Sequence, residues 1–122
     1  MQVNPGDIFI KNAMVLEGLM LKIFDPLLSV VLAMIVKQFG CRVSESWRPA
    51  RHKNDLHSLG RAIDLSSWVY KDFDLIKIET WINDHWIYDP ARPKMKVALY
   101  HKTKNGAWHF HIQVHPNTRA AN

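Results

Sequence analysis

The sequence holds one cysteine, Cys41, in 122 residues, so no disulfide framework can staple the chain internally. The plain role for Cys41 is a small buried hydrophobe at the start of a strand. Long apolar runs are also missing. The most apolar stretch, Leu27 to Val36, is about half of what a membrane span needs. Met1 to Ile10 carries Asp7 and no basic residue ahead of an apolar stretch, which does not read as a signal peptide. The chain is therefore expected to be made in the cytoplasm, with nothing in its own sequence to export it. There is no internal repeat, low-complexity segment or linker. Acidic residues are the minority: eleven Asp and Glu face sixteen Lys and Arg, for a net charge of +5. A basic balance suits an anionic partner such as nucleic acid, a membrane surface or a cell-wall polymer, without choosing among them.

What is present is ordinary for a soluble globular protein. Apolar residues make up 48% and charged residues 22%, which excludes disordered and fibrous classes. The length suits one domain over residues 1–122. Asn12 can cap a helix from Ala13 to about Phe24. Asp25-Pro26 is a second helix start, since a proline at the first helical position gives up no hydrogen bond. Leu27, Leu28, Val31, Leu32, Ile35, Val36 and Phe39 follow the helical apolar spacing, and Gly40 suits the stop. Cys41 to Ser46 reads as a strand, Trp47 to Leu56 as a charged loop and Arg61 to Leu65 as a strand. Asp72 to Asp84 reads as a helix with Phe73, Ile76 and Ile82 among its apolar positions. Lys96 to Lys102 and Ala107 to Val114 read as a hairpin turning at Asn105-Gly106. The order predicts an α+β fold, a small antiparallel sheet with the N-terminal helices packed on one face.

Two segments carry chemistry. In Trp108 to Val114, alternation turns Trp108, Phe110, Ile112 and Val114 to the core and His109, His111 and Gln113 to the other face. A two-residue turn at Asn105-Gly106 would place Val97 opposite Val114 and Leu99 opposite Ile112. Tyr100 and Lys102 would then share the site face with the histidines, and His101 would turn away. In the other segment, Gly60 permits a sharp turn that brings His57 back toward Asp64. His57, Asp64 and one imidazole from His109 or His111 make three N/O ligands with a fourth position open, the pattern of a catalytic zinc site.

His57-x-x-Gly60-x-Ala62-x-Asp64, followed by His109-x-His111 on a late strand, resembles the zinc DD-peptidases of the hedgehog/D-Ala-D-Ala carboxypeptidase fold. That group includes phage L-alanyl-D-glutamate endopeptidases and shares its metal arrangement with lysostaphin-type enzymes. The resemblance runs from about Val43 to Val114. It implies zinc held by His57, Asp64 and His111, with His109 beside the water. It also implies that Arg48, in Ser44-Glu45-Ser46-Trp47-Arg48, binds a substrate carboxylate. Asp55 stands where the family often has Ser, and Gly106 and Trp108 stand where many members carry an acid or a third histidine. The base is then His109 or another group; Glu45 and His52 are spare candidates whose plain reading is solvated loop. Lys94, Lys96, Lys102 and Lys104 read as a solvated basic rim.

The resemblance implies metal-assisted amide hydrolysis in peptidoglycan stem peptides, by a carboxypeptidase or endopeptidase of the phage-endolysin kind. The protein is expected to be a monomer, to need no nucleic acid and to meet the wall after release or in a virion. Two rival readings differ in class. One is a metal-binding virion or cell-wall module without turnover. The other is a His-hydrophobic-His nickase, which pI 9.5 would suit. Such enzymes need a tyrosine generally placed after the motif, and the eleven residues after His111 contain none.

Overall fold

The computed structural model describes residues 1–71 and 74–121. Among these described residues three helices and seven strands follow in the order β1 (Ile8–Ile10), α1 (Ala13–Met20), α2 (Pro26–Phe39), β2 (Cys41–Glu45), β3 (Ala62–Ser66), α3 (Leu75–His85), β4 (Trp86–Ile87), β5 (Ala98–Lys102), β6 (Trp108–Gln113) and β7 (Arg119–Ala120), with a short 3-10 helix at Leu56–Leu59. Five strands form one sheet in the order β1-β2-β3-β6-β5, and β4 pairs with β7 in a two-stranded one. The sheet is not wholly antiparallel as expected, because β1 runs parallel to β2. Among the described residues no helix is long and apolar enough to cross a membrane.

Local chemistry sets the helix ends. The Asn12 side chain accepts from Val15 N–H, and Asp25 accepts from Leu27 N–H with Pro26 behind it. Helix α1 ends at Met20, four residues earlier than the apolar pattern suggests. The predicted start of α3 at Asp72, and the apolar role of Phe73, lie outside the described residues. Ile78 and Ile82 supply its buried face, while Ile76 is exposed.

Leu28, Val31 and Ile35 from α2 join Ile78 and Ile82 from α3 on one face of the sheet. They pack there with Val43, Ile63, Leu65, Phe110 and Ile112, all fully buried. Each such side chain contributes roughly 1.5–3 kcal/mol of burial. With helices covering that face, the alternate residues of β2, β3 and β6 are turned to the opposite, open face.

The hairpin register differs from the expected one by one residue. Tyr100 pairs with Phe110, His101 with His109 and Lys102 with Trp108. The cause lies in the turn. Gly106 N–H bonds to Thr103 O, and Thr103 N–H bonds to Ala107 O. The loop therefore has three residues, and Gly106 takes the left-handed conformation at φ 85° that closes it. Asn105-Gly106 occupies the end of the turn, not its centre. Tyr100 consequently packs on Phe110 on the helix side, and His101 moves to the open face. Trp108, expected in the core, is half exposed and stacks on Tyr100.

Candidate metal centre

Asp64 and His111 are direct partners across β3 and β6, so their side chains share the open face. His57 reaches the same point from the 3-10 helix. Gly60 makes that return possible: its φ is 69°, and a Cβ there would sit 2.2 Å from Ile23 O. Donor atoms of His57, Asp64 and His111 lie within 4.8 Å of one another, a group that could hold a metal ion. Asp64 Oδ1 is 3.1 Å from His111 Nδ1, 3.4 Å from His57 Nε2 and 3.7 Å from His109 Nε2.

The surrounding hydrogen bonds decide which nitrogens are free. His57 Nδ1 lies 2.9 Å from the Ser46 carbonyl, which can only accept, so Nδ1 carries the proton. Nε2 of neutral His57 is then bare and faces Asp64. The amide nitrogen of Gln113 donates to Lys96 O at 2.8 Å, which turns its Oε1 toward His111 Nε2 at 3.1 Å. That nitrogen therefore donates, and Nδ1 of neutral His111 is the bare one facing Asp64. Two bare imidazole nitrogens and one carboxylate oxygen converge with no hydrogen to share. Only positive charge between them, a proton or a metal ion, makes the cluster favourable. Burial works to raise the Asp64 pKa; once a proton sits on a facing nitrogen, the hydrogen bonds and charge of His111 and His57 outweigh burial and hold the carboxyl well below the usual range.

His109 stands beside this group and is not one of its three members. Burial lowers its pKa; the Asp64 charge opposes this, and His101, His111 and His57 add to it. His101 packs against His109 with ring centroids 4.6 Å apart. Sequence reasoning missed His101 because of the register, and it gave Gln113 no role although the pair His111 and Gln113 at i, i+2 marks a shared face.

Arg48 lines the same pocket of about 360 Å³, but its charge is already engaged. Its Nη1 lies 2.5 Å from Asp55 Oδ2, and its Nε is 3.6 Å from Glu45. Asp55 also accepts from the backbone N–H of Arg51 and His57. Asp55 thus ties the loop that carries Arg48 to the helix that carries His57. Glu45 reaches the open face because β2 bulges, so that Glu45 pairs with Asp64. Cys41 is fully buried, and burial pushes its thiol up to about 12, which excludes a nucleophile's role.

Fold and site together define a mixed α/β protein with a candidate two-histidine, one-aspartate metal centre on the open face of its main sheet. Comparisons with models of protein families, with curated proteins and with solved structures each return no match.

Proposed function

We propose that this protein is a zinc-dependent peptidase that hydrolyses an amide bond in peptidoglycan stem peptides, related to the zinc DD-peptidases that its His57–Asp64 and His109–His111 motifs resemble. The observation that carries the reading is the convergence of two tautomer-fixed imidazoles and one carboxylate beside an open pocket. The donor set fits zinc. Two nitrogens and one carboxylate oxygen beside an open pocket are the donor types that a catalytic zinc ion takes.

His57, Asp64 and His111 would hold the ion, and the Ser46 carbonyl and Gln113 would orient the two imidazoles. Zinc supplies a Lewis acid that polarises a carbonyl and acidifies water near neutral pH. His109, whose pKa burial lowers, is placed beside the cluster to accept a proton at Nε2 and return it to the leaving amine. His101 supports the same edge of the pocket. The basic surface favours an anionic wall.

The nickase reading gains no support from the tyrosines. Tyr70 donates its hydroxyl to Gly40 O, Tyr88 is buried, and Tyr100 packs against Phe110 on the helix side. Mass spectrometry of purified peptidoglycan, digested with and without a chelator, tests the proposal. New peptide termini are expected only without chelator. Zinc bound at one equivalent with no cleavage would leave a metal-binding module and sink the peptidase.

A further inference from the structure

The resemblance gives the carboxylate-binding role to Arg48, yet Asp55 and Glu45 already neutralise that guanidinium. The open face offers another. Arg42 lies on β2, between Phe9 of β1 and Ser66 of β3. Its Nη1 donates to Ser66 Oγ at 2.8 Å, and its guanidinium carbon lies over the exposed ring of Trp68, 5.1 Å from the ring centre. Among the described residues no carboxylate is paired with Arg42. The two carboxylates nearest along the face are taken: Glu45 by Arg48 and Arg51, and Asp64 by the histidines. Arg42, Trp68 and Ser66 line a cleft of about 850 Å³ that also contains Asp64 and His109, so the cleft runs into the metal cluster. Lys11 and Lys104 stand at its sides.

We propose that Arg42, held by Ser66 and backed by Trp68, is the carboxylate-binding subsite of this cleft. The ligand is a peptide carboxylate; its identity as part of a stem peptide rests on the peptidase reading above. The chemistry is specific. One edge of the guanidinium is fixed by Ser66, its face is covered by an indole, and the remaining N–H groups are free to grip two oxygens at once. The cross-strand row Arg42, Ser66, His109, His101 fixes the position. Two strand spacings separate Arg42 from His109, about 10 Å. That distance is about three residues of extended peptide, so a substrate gripped by Arg42 presents an internal bond to the cluster, not the bond to its last residue.

Binding decides this independently of turnover. A stem pentapeptide, and the same peptide with its carboxylates converted to carboxamides, are titrated into the zinc-loaded protein by calorimetry. The wild type is expected to bind the carboxylate form at least about tenfold more tightly, as a charge-assisted contact implies. Arg42→Gln should bind both forms within about twofold, and Arg42→Lys should fall between. In the unaltered protein the Trp68 indole N–H resonance should shift with the carboxylate peptide and not with the carboxamide, which covers the case of a variant that fails to fold. A tenfold preference that survives in Arg42→Gln overturns the assignment. So does a wild type with no preference; if that protein still cleaves, the peptidase reading stands without Arg42. A preference abolished by Arg42→Gln in a protein that cleaves nothing upholds the subsite and removes the peptidase.

Discussion

Asp64 takes its ionisation from the imidazoles around it, and the two that face it most closely are not equivalent to His109. His111→Ala removes one of three candidate ligands and should abolish both metal binding and turnover. His109→Ala should keep the metal and lose about 10²–10⁴ in rate, the usual worth of a positioned base. Elemental analysis beside turnover separates the roles, and a His109→Ala protein without metal would exchange them. Gln113 provides a finer probe. Its amide oxygen is the acceptor that leaves His111 Nδ1 bare. Gln113→Leu should weaken zinc affinity by about 10–100-fold, measured by chelator competition, because the ring is then free to put its proton on the wrong nitrogen. An unchanged affinity would mean that packing alone sets the ring. The residue types of this cluster were legible in the sequence, and so was the strand face of His109, His111 and Gln113. The acceptors that fix the tautomers were not: the Ser46 carbonyl lies just past the end of β2, eleven residues before His57, and Gln113 becomes orienting only once Lys96 O holds it.

At the level of elements, the loop between β2 and β3 depends on Asp55. Its carboxylate is bonded to the Arg51 and His57 backbone and to Arg48. Burial opposes ionisation, but these hydrogen bonds prevail and lower its pKa. The sign follows. The unfolded chain, with an ordinary carboxyl near pKa 3.9, binds the proton more readily than the folded one. The stabilisation is therefore complete above about pH 4 and is lost as pH falls toward the lower folded value. Asp55→Asn should cost about 2 kcal/mol at pH 7, since it removes the closer of the two carboxylates on a largely buried Arg48 and leaves Glu45, 3.6 Å away, as its charged partner. Thermal melts of the metal-free protein from pH 7 to 2 should show the wild-type and variant curves converging in acid; parallel curves would mean that the charge is irrelevant. Helices α1 and α2 were legible because Asn12, Asp25-Pro26 and Gly40 are local signals. The hairpin register was not, because Asn105-Gly106 fits both a two-residue and a three-residue loop. Only the Thr103–Ala107 pairing chooses between them, and with it the face of His101. Strand β1 escaped notice for a similar reason: three residues carry no periodicity, and its pairing with β2 is long-range.

For the whole molecule, the helices occupy one face of the sheet and the chemistry the other, so the cluster lies outside the apolar core. The α+β character was legible from the order of elements; the parallel β1 edge and the β4–β7 pair were set by distant pairings. This separation predicts how the fold answers to metal. The core is complete without an ion, so the metal-free protein should remain folded, unlike small domains that fold only around zinc. An ion that binds the folded state alone still adds stability through mass action, about 2.7 kcal/mol when free metal is a hundredfold above Kd. For a chain of this size that is a rise of about 10 °C in Tm. The gain should come from His57, Asp64 and His111 together, because they sit on three elements, the 3-10 helix, β3 and β6, and an ion held by all three would tie them at one point. Calorimetric scans with zinc and with chelator should therefore differ by about 10 °C in the wild type and coincide in His111→Ala. The wild-type scan in chelator should remain cooperative. A loss of cooperativity there would mean that the metal organises the fold itself, and an equal shift in His111→Ala would place the stabilising ion elsewhere on the protein.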